Sequence, residues 1–236
     1  RKGTELVLDT VGPDGEPDVA AGTAGRGRQR NDPQVAGLAV SPDGLRLYAA
    51  LGIRNAVAVV DLVAGKVVRS IDVDIAPYHL ALSPDGKRLA VACRGGQAAR
   101  ADQQSALSAG SAVRVDPRTD AALGGSVVLF ETADPGAQKR ATGIRQPSGM
   151  VFSADNHTLW VAGSDDDTVA EVSAATGLVR RRISLRPGSD PGYGQIPTSV
   201  ALSPEGNRLW VACGGANAVA SVDIASAKIV GRIPTG

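Results

Sequence analysis

The apolar positions of this chain fall into short runs with period two, never into a sustained helical stripe. A run such as GLAV (Gly37 to Val40) meets the turn SPDG, and a second run, RLYAA, follows. A third run, AVAVVD, alternates up to Asp61, and a fourth, KVVRSIDV, mixes apolar and basic residues. Alternation bounded by Pro/Gly/Asp turns predicts short antiparallel strands. The absence of a 3.6-residue period predicts almost no helix.

This pattern is written four times: SPDGLRLYAA from Ser41, SPDGKRLAVA from Ser83, SADNHTLWVA from Ser153 and SPEGNRLWVA from Ser203. Pro42 and Pro84 pre-set φ, Asp43 and Asp85 bond the backbone ahead, and Gly44, Gly86 or Asn156 takes positive φ. Leu47, Leu89, Leu159 and Leu209 recur at one place in the second strand, and third strands end at Asp61, Glu131, Ser173 and Asp223. Burying each such leucine is worth about 1.5–3 kcal/mol. The turn serines are 42, 70 and 50 residues apart. Four strands in about 42 residues is the size of a propeller blade. A β-sandwich has no reason to repeat the same words at the same spacing.

The expected fold is therefore an all-β propeller of four-stranded antiparallel blades. Blades are expected at 35–75, 76–145, 146–196 and 197–236. Residues 1–34 supply a partial preceding blade, in which TELVLDT matches the third strand, and a crossover loop rich in Gly, Pro and Arg. About four and a half blades are thus expected, as part of a larger ring.

Composition narrows the function classes. The 236 residues carry 25 basic and 24 acidic side chains, a net charge of +1. No strong field for nucleic acid follows, and no apolar run is long enough for a membrane helix. No signal peptide is visible. Cys93 and Cys213 occupy equivalent positions in non-neighbouring repeats, beyond disulfide reach, and are expected as small buried hydrophobes.

The interruptions of the repeat carry the functional information. The second unit holds 28 extra residues between its second and third strands, an insertion at about 97–125. The third holds 8 extra in its crossover (RPGSDPGYGQI, with Tyr193), and about ten extra precede the first unit. In an up-and-down blade all three positions lie on one rim, and the SPDG turns lie on the other. Insertions in repeat proteins collect on one face, often the binding face.

Candidate ligand-binding residues follow from that placement. Tyr78 and His79 lie on the innermost strand near the channel mouth, where a histidine bonded to a crossover carbonyl is the bland alternative to a catalyst. Arg94, Arg114 and Asp116 belong to the insertion, whose arginines could clamp an anion, and Tyr193 to the crossover. His157 falls on the opposite rim. The acids of SDDDT (Ser164 to Thr168) lack calcium-loop spacing, and Asp167 aligns with the turn residues Asn55 and Asn217. No catalytic residue, metal or cofactor is assigned, since no nucleophile elbow, zinc spacing, haem attachment or phosphate loop is present.

The words GLAVSPDGLRLYAALGIRNAVAVVDLVAGKVVRSIDV and TSVALSPEGNRLWVACGGANAVASVDIASAKIVGRIPTG resemble the YVTN, or YncE-like, β-propeller family. GSAVRVDPRTDAALGGSV and DPGYGQIPTSVALSPEGNRLWVACGGANAVASVDI are similar to a bacterial subgroup in which such a propeller precedes an alkaline-phosphatase-like phosphoesterase domain. The resemblance implies a seven-bladed ring, a periplasmic or extracellular location, and a binding or scaffolding role toward a small ligand, a protein partner or the attached domain. The family's usual asparagine after strand two is replaced by Leu51, Cys93, Gly163 and Cys213. The alternatives are a lactonase-type enzyme using the channel mouth near Tyr78 and His79, and an inert structural spacer.

Overall fold

Serine, proline and aspartate build the same turn wherever the repeat places them. In the first unit Ser41 Oγ donates to Asp43 Oδ1 (2.5 Å) and accepts from the Arg46 amide (2.9 Å), while Asp43 Oδ1 accepts from the Leu45 amide (2.9 Å). The same three bonds recur at Ser83 and Ser153. The serine hydroxyl, then the backbone amide, hold the carboxyls of Asp43, Asp85 and Asp155 below the usual carboxylate range. Gly44, Gly86, Asn156 and Gly206 take the left-handed slot, with φ of 72°, 71°, 64° and 70°. In the fourth unit Glu205 replaces the aspartate, and Ser203 Oγ donates instead to Asn207 Oδ1.

These turns organise four blades in the computed structural model, which describes residues 34–186 and 194–235. The first contains β1 (Val35–Val40), β2 (Arg46–Leu51), β3 (Ala56–Asp61) and β4 (Lys66–Asp72). The second begins with β5 (Ile75–Leu82) and β6 (Arg88–Gly96). The insertion follows as a hairpin of β7 (Ser105–Ser108) and β8 (Ser111–Arg114), and the blade closes with β9 (Ser126–Glu131) and β10 (Lys139–Thr142). The third has β11 (Pro147–Phe152), β12 (Thr158–Gly163), β13 (Thr168–Ser173) and β14 (Val179–Ser184). The fourth has β15 (Pro197–Leu202), β16 (Arg208–Cys213), β17 (Ala218–Asp223) and β18 (Lys228–Pro234). Each blade is a four-stranded sheet in up-and-down order, the second running β5-β6-β9-β10. Among the described residues the one helical element is a 3-10 turn at Gly214–Ala216. The all-β propeller architecture holds. The matching half-blade and the crossover loop expected within 1–34 lie outside the described residues except for Gln34, and so does Tyr193.

The core lies between blades. Tyr48, Ala50, Val57 and Val59 of the first blade pack with Leu80, Leu89, Val91 and Phe130 of the second. Ala90, Ala92, Val127 and Leu129 meet Met150, Phe152, Leu159 and Val161 of the third. Trp160, Val169 and Ile183 meet Leu209, Val211 and Val222 of the fourth. Leu89, Leu159 and Leu209 therefore face the preceding blade, and Tyr48, Ala90 and Trp160, each one residue after the recurrent leucine, face the next. Leu89, Leu159 and Leu209 are fully buried, because alternation sends neighbours to opposite faces of the sheet.

Two local features differ from the sequence expectation. Strand β5 starts at Ile75, which makes His79 its fifth residue. Its register slips on both sides of Pro77, leaving Tyr78 as a bulged residue between the pairs Pro77↔Cys93 and His79↔Ala92. A slip recurs at the same place in the first strand of every blade, at Val35/Leu38, Pro147/Met150 and Pro197/Ser199, so it belongs to the repeat. The insertion, expected as a surface loop, carries its own hairpin and a further bridge, Val115↔Ala122.

Candidate functional site

The channel-mouth candidates come together. The bulge turns Tyr78 outward, and the Arg94 guanidinium at the end of β6 lies over its ring, 3.3 Å from the centroid. Such a cation–π contact holds the ring and the charge as one unit. His79 is half-buried beside them, and burial pushes its imidazole below the ordinary value of 6.5. The expected bond to a crossover carbonyl is missing at Nδ1, which is buried without a hydrogen-bond partner among the described residues; Arg94 Nε is in the same state. His157 is exposed on the opposite rim, 3.6 Å from Asp155.

The insertion candidates separate. Asp116 closes a turn, its Oδ1 accepting from the amides of Arg118 and Thr119. Arg114 instead lines a cavity of about 490 Å³ at the foot of the insertion, together with Gln97, Arg100, Gln103, Ser126 and Thr142. Tyr78, His79 and Arg94 do not line it.

The foot of the insertion is made of glycine, because backbones touch there. A Cβ on Gly124 would lie 2.0 Å from the Gly95 carbonyl oxygen, one on Gly96 2.5 Å from the Gly125 nitrogen, and one on Gly95 2.5 Å from Ile75 Cγ2. Only residues without a side chain permit this approach. The two ends of the insertion therefore meet. Without Gln97–Gly124, Cys93 and Ser126, which pair directly, are joined by the four residues Arg94, Gly95, Gly96 and Gly125. Four residues also join the equivalent pairs Leu51↔Ala56, Gly163↔Thr168 and Cys213↔Ala218.

Composition did not reveal a set of rim latches between blades. Asn55 is left-handed (φ 55°) at the end of the β2–β3 loop. Its Oδ1 accepts from the Ala76 amide of the next blade (3.0 Å), and its Nδ2 donates to Ser111 of the insertion (2.8 Å). Asp167 takes the same conformation (φ 51°) in the third blade. Its buried carboxylate accepts from the Ile196 amide (3.0 Å) and from Arg186 Nε (3.0 Å). The alignment of Asp167 with Asn55 and Asn217 was the available signal, and all three are left-handed. The second blade makes a related tie inward: Asp74, at the end of its crossover, accepts from Ser126 (2.6 Å) and Arg140 (3.0 Å).

Cys93 and Cys213 are buried free thiols, and burial pushes both upward. No cluster of His, Cys, Asp and Glu among the described residues could hold a metal. No helix there is long and apolar enough to cross a membrane.

Comparison with known proteins adds the fold. No family model and no curated protein sequence matches the chain. Among solved structures it is similar to the hydrazine synthase of Kuenenia stuttgartiensis, with a TM-score of 0.64 and 24% identity over 89% of this chain. It is also similar to a chain of a mitotic checkpoint complex, with a TM-score of 0.61 and 17% identity over 86%. The chain spans 52% and 51% of those two chains. At this identity the likeness shows the fold, a β-propeller.

Proposed function

We propose that these blades form a non-catalytic binding or scaffolding segment that presents its loop-rich rim to a ligand, a protein partner or an attached domain. The observation that carries the reading is the asymmetry between rims. One keeps the short, self-satisfied Ser-Pro-Asp-Gly turns. The other holds a folded insertion latched to the neighbouring blade through Asn55 and Ser111, beside a stacked Tyr78–Arg94 pair. The resemblance of the repeat words to YVTN, or YncE-like, propellers supports a seven-bladed ring, a periplasmic or extracellular location, and a phosphoesterase as the attached domain.

The experiment is the deletion of Gln97–Gly124, which leaves a four-residue loop of the kind the other blades use. Circular dichroism and urea unfolding report the blades. Affinity capture with the intact and deleted segments reports the face. The expected result is a folded variant that loses a partner held by the intact chain. Loss of folding makes the insertion structural, and a partner held equally by both overturns the assignment of the face.

A second reading, a lactonase-type hydrolase at the channel mouth, has one observation in its favour. His79 is a half-buried imidazole with an unpartnered Nδ1, kept in the neutral form that a general base requires. On this reading His79→Ala abolishes lactone hydrolysis by a chain carrying the complete ring, and unchanged turnover removes it.

A further inference from the structure

The insertion is polar in sequence, and its fold gathers that polarity around one cavity. The glycine foot brings Gly95 and Gly96 against Gly124 and Gly125, and the β7–β8 hairpin carries Arg114 to one wall. Thr142 and Gly143, at the end of β10, form another wall, and Arg182 of the third blade donates to the Gly143 carbonyl there (3.1 Å). Every lining residue belongs to the second blade and its insertion, so this cavity, unlike the channel mouth, does not depend on other blades for its walls.

The lining is rich in donors. No aspartate or glutamate side chain lines the cavity. Gln103 spends its Oε1 on the Arg100 amide (3.1 Å), which leaves its NH2 group to donate. Ser126 donates its hydroxyl hydrogen to Asp74 and so adds no donor of its own. Arg100 makes an exposed pair with Asp102 at 3.3 Å, and a surface pair of this kind is weak. The Arg114 guanidinium makes one long bond, 3.4 Å to the Leu123 carbonyl. A planar fork with most of its five donors uncommitted matches a carboxylate or phosphate group. A cavity of about 490 Å³ lies in the range of small-molecule sites.

We propose that this cavity binds a small molecule through its oxyanion group, a carboxylate or a phosphate, with Arg114 as the principal contact and Arg100 and the Gln97 and Gln103 amides around it. The inference rests on the reading of this rim as the binding face and names the chemistry of its ligand.

The test is calorimetric titration of the intact segment with inorganic phosphate and, separately, with succinate, at matched ionic strength. Saturable binding of either is expected, and the better of the two names the oxyanion. Losing a charge-assisted bond weakens binding about tenfold or more, so R114A falls by that factor. R114K keeps the charge but not the fork and falls between. R118A, an arginine of the same insertion outside the cavity, leaves binding unchanged. R100A is a second variant should R114A not fold, and a weakened R100A with an unshifted melting temperature supports the site. Absence of saturable binding to both probes, or equal loss in R114A and R118A, overturns the inference. If that result comes with a deletion variant that still loses a partner, the binding-face reading stands and only the oxyanion site falls.

Discussion

At the scale of single residues, the half-buried His79 gives the molecule a titration to follow. The unfolded chain protonates this imidazole near pH 6.5, whereas burial holds the folded value lower. As pH falls through 6.5 the unfolded state binds more protons, so stability drops, and the loss is complete once pH is below the folded value. His79→Gln removes that part of the profile. Urea midpoints measured between pH 7.5 and 5 check it: the wild type declines and the variant stays flatter, and parallel curves would refute the assignment. Gly149 is a second sensitive point. It stands at the repeat position of His79, and a Cβ there would come within 2.5 Å of Ser199 Cα and 2.8 Å of the Thr198 carbonyl in the next blade. Its Gly149→Ala variant is expected to lose about 1–3 kcal/mol, a cost of overpacking, measured by urea unfolding. The repeat aligns His79 with Gly37, Gly149 and Ser199, but does not show that this column lies where innermost strands touch, because the contacts Gly37–His79 and Gly149–Ser199 join residues 42 and 50 apart.

At the scale of elements, rim loops bind blade to blade. Asp167 buries its carboxylate in order to accept from the Ile196 amide. Asp167→Ala strands that amide at a cost of about 1–3 kcal/mol. Asp167→Asn keeps the acceptor, copies what Asn55 and Asn217 already are, and gives up only the bond to the exposed Arg186; it is expected to cost much less. Thermal unfolding of the pair separates the latch from the charge. The turns were legible in the chain because Ser-Pro-Asp-Gly is a local code, each partner within five residues of the next. The latches were only half legible. Alignment marks the left-handed residue, but its acceptor atom serves an amide 21 residues on in one blade and 29 in another. The insertion was legible as extra length, whereas its hairpin and cavity depend on glycine contacts between its two ends.

At the scale of the whole molecule, blades stack with a direction. The residue after the recurrent leucine meets the next blade: Tyr48 and Trp160 are buried there, at 7% and 3% exposure. Trp210 holds the same place in the fourth blade and is 36% exposed. Acrylamide quenching of the segment is therefore expected to resolve a shielded tryptophan and an accessible one. In a longer chain that adds a following blade, the accessible class disappears, and its persistence would argue against a ring continuing on that side. This periodicity is why the architecture could be read from the chain: a fold made of one repeated unit prints its packing in sequence. The candidate site could not be read in the same way, since it stands where the repeat is broken.

The touching ends of the insertion make it a detachable module. Because Gly96 and Gly125 meet backbone to backbone, the blade beneath needs no new register to lose the segment or to receive another. A foreign loop of any length whose termini lie as close together can be grafted between them, so this rim is a natural socket for exchanging specificities while the propeller itself stays the same.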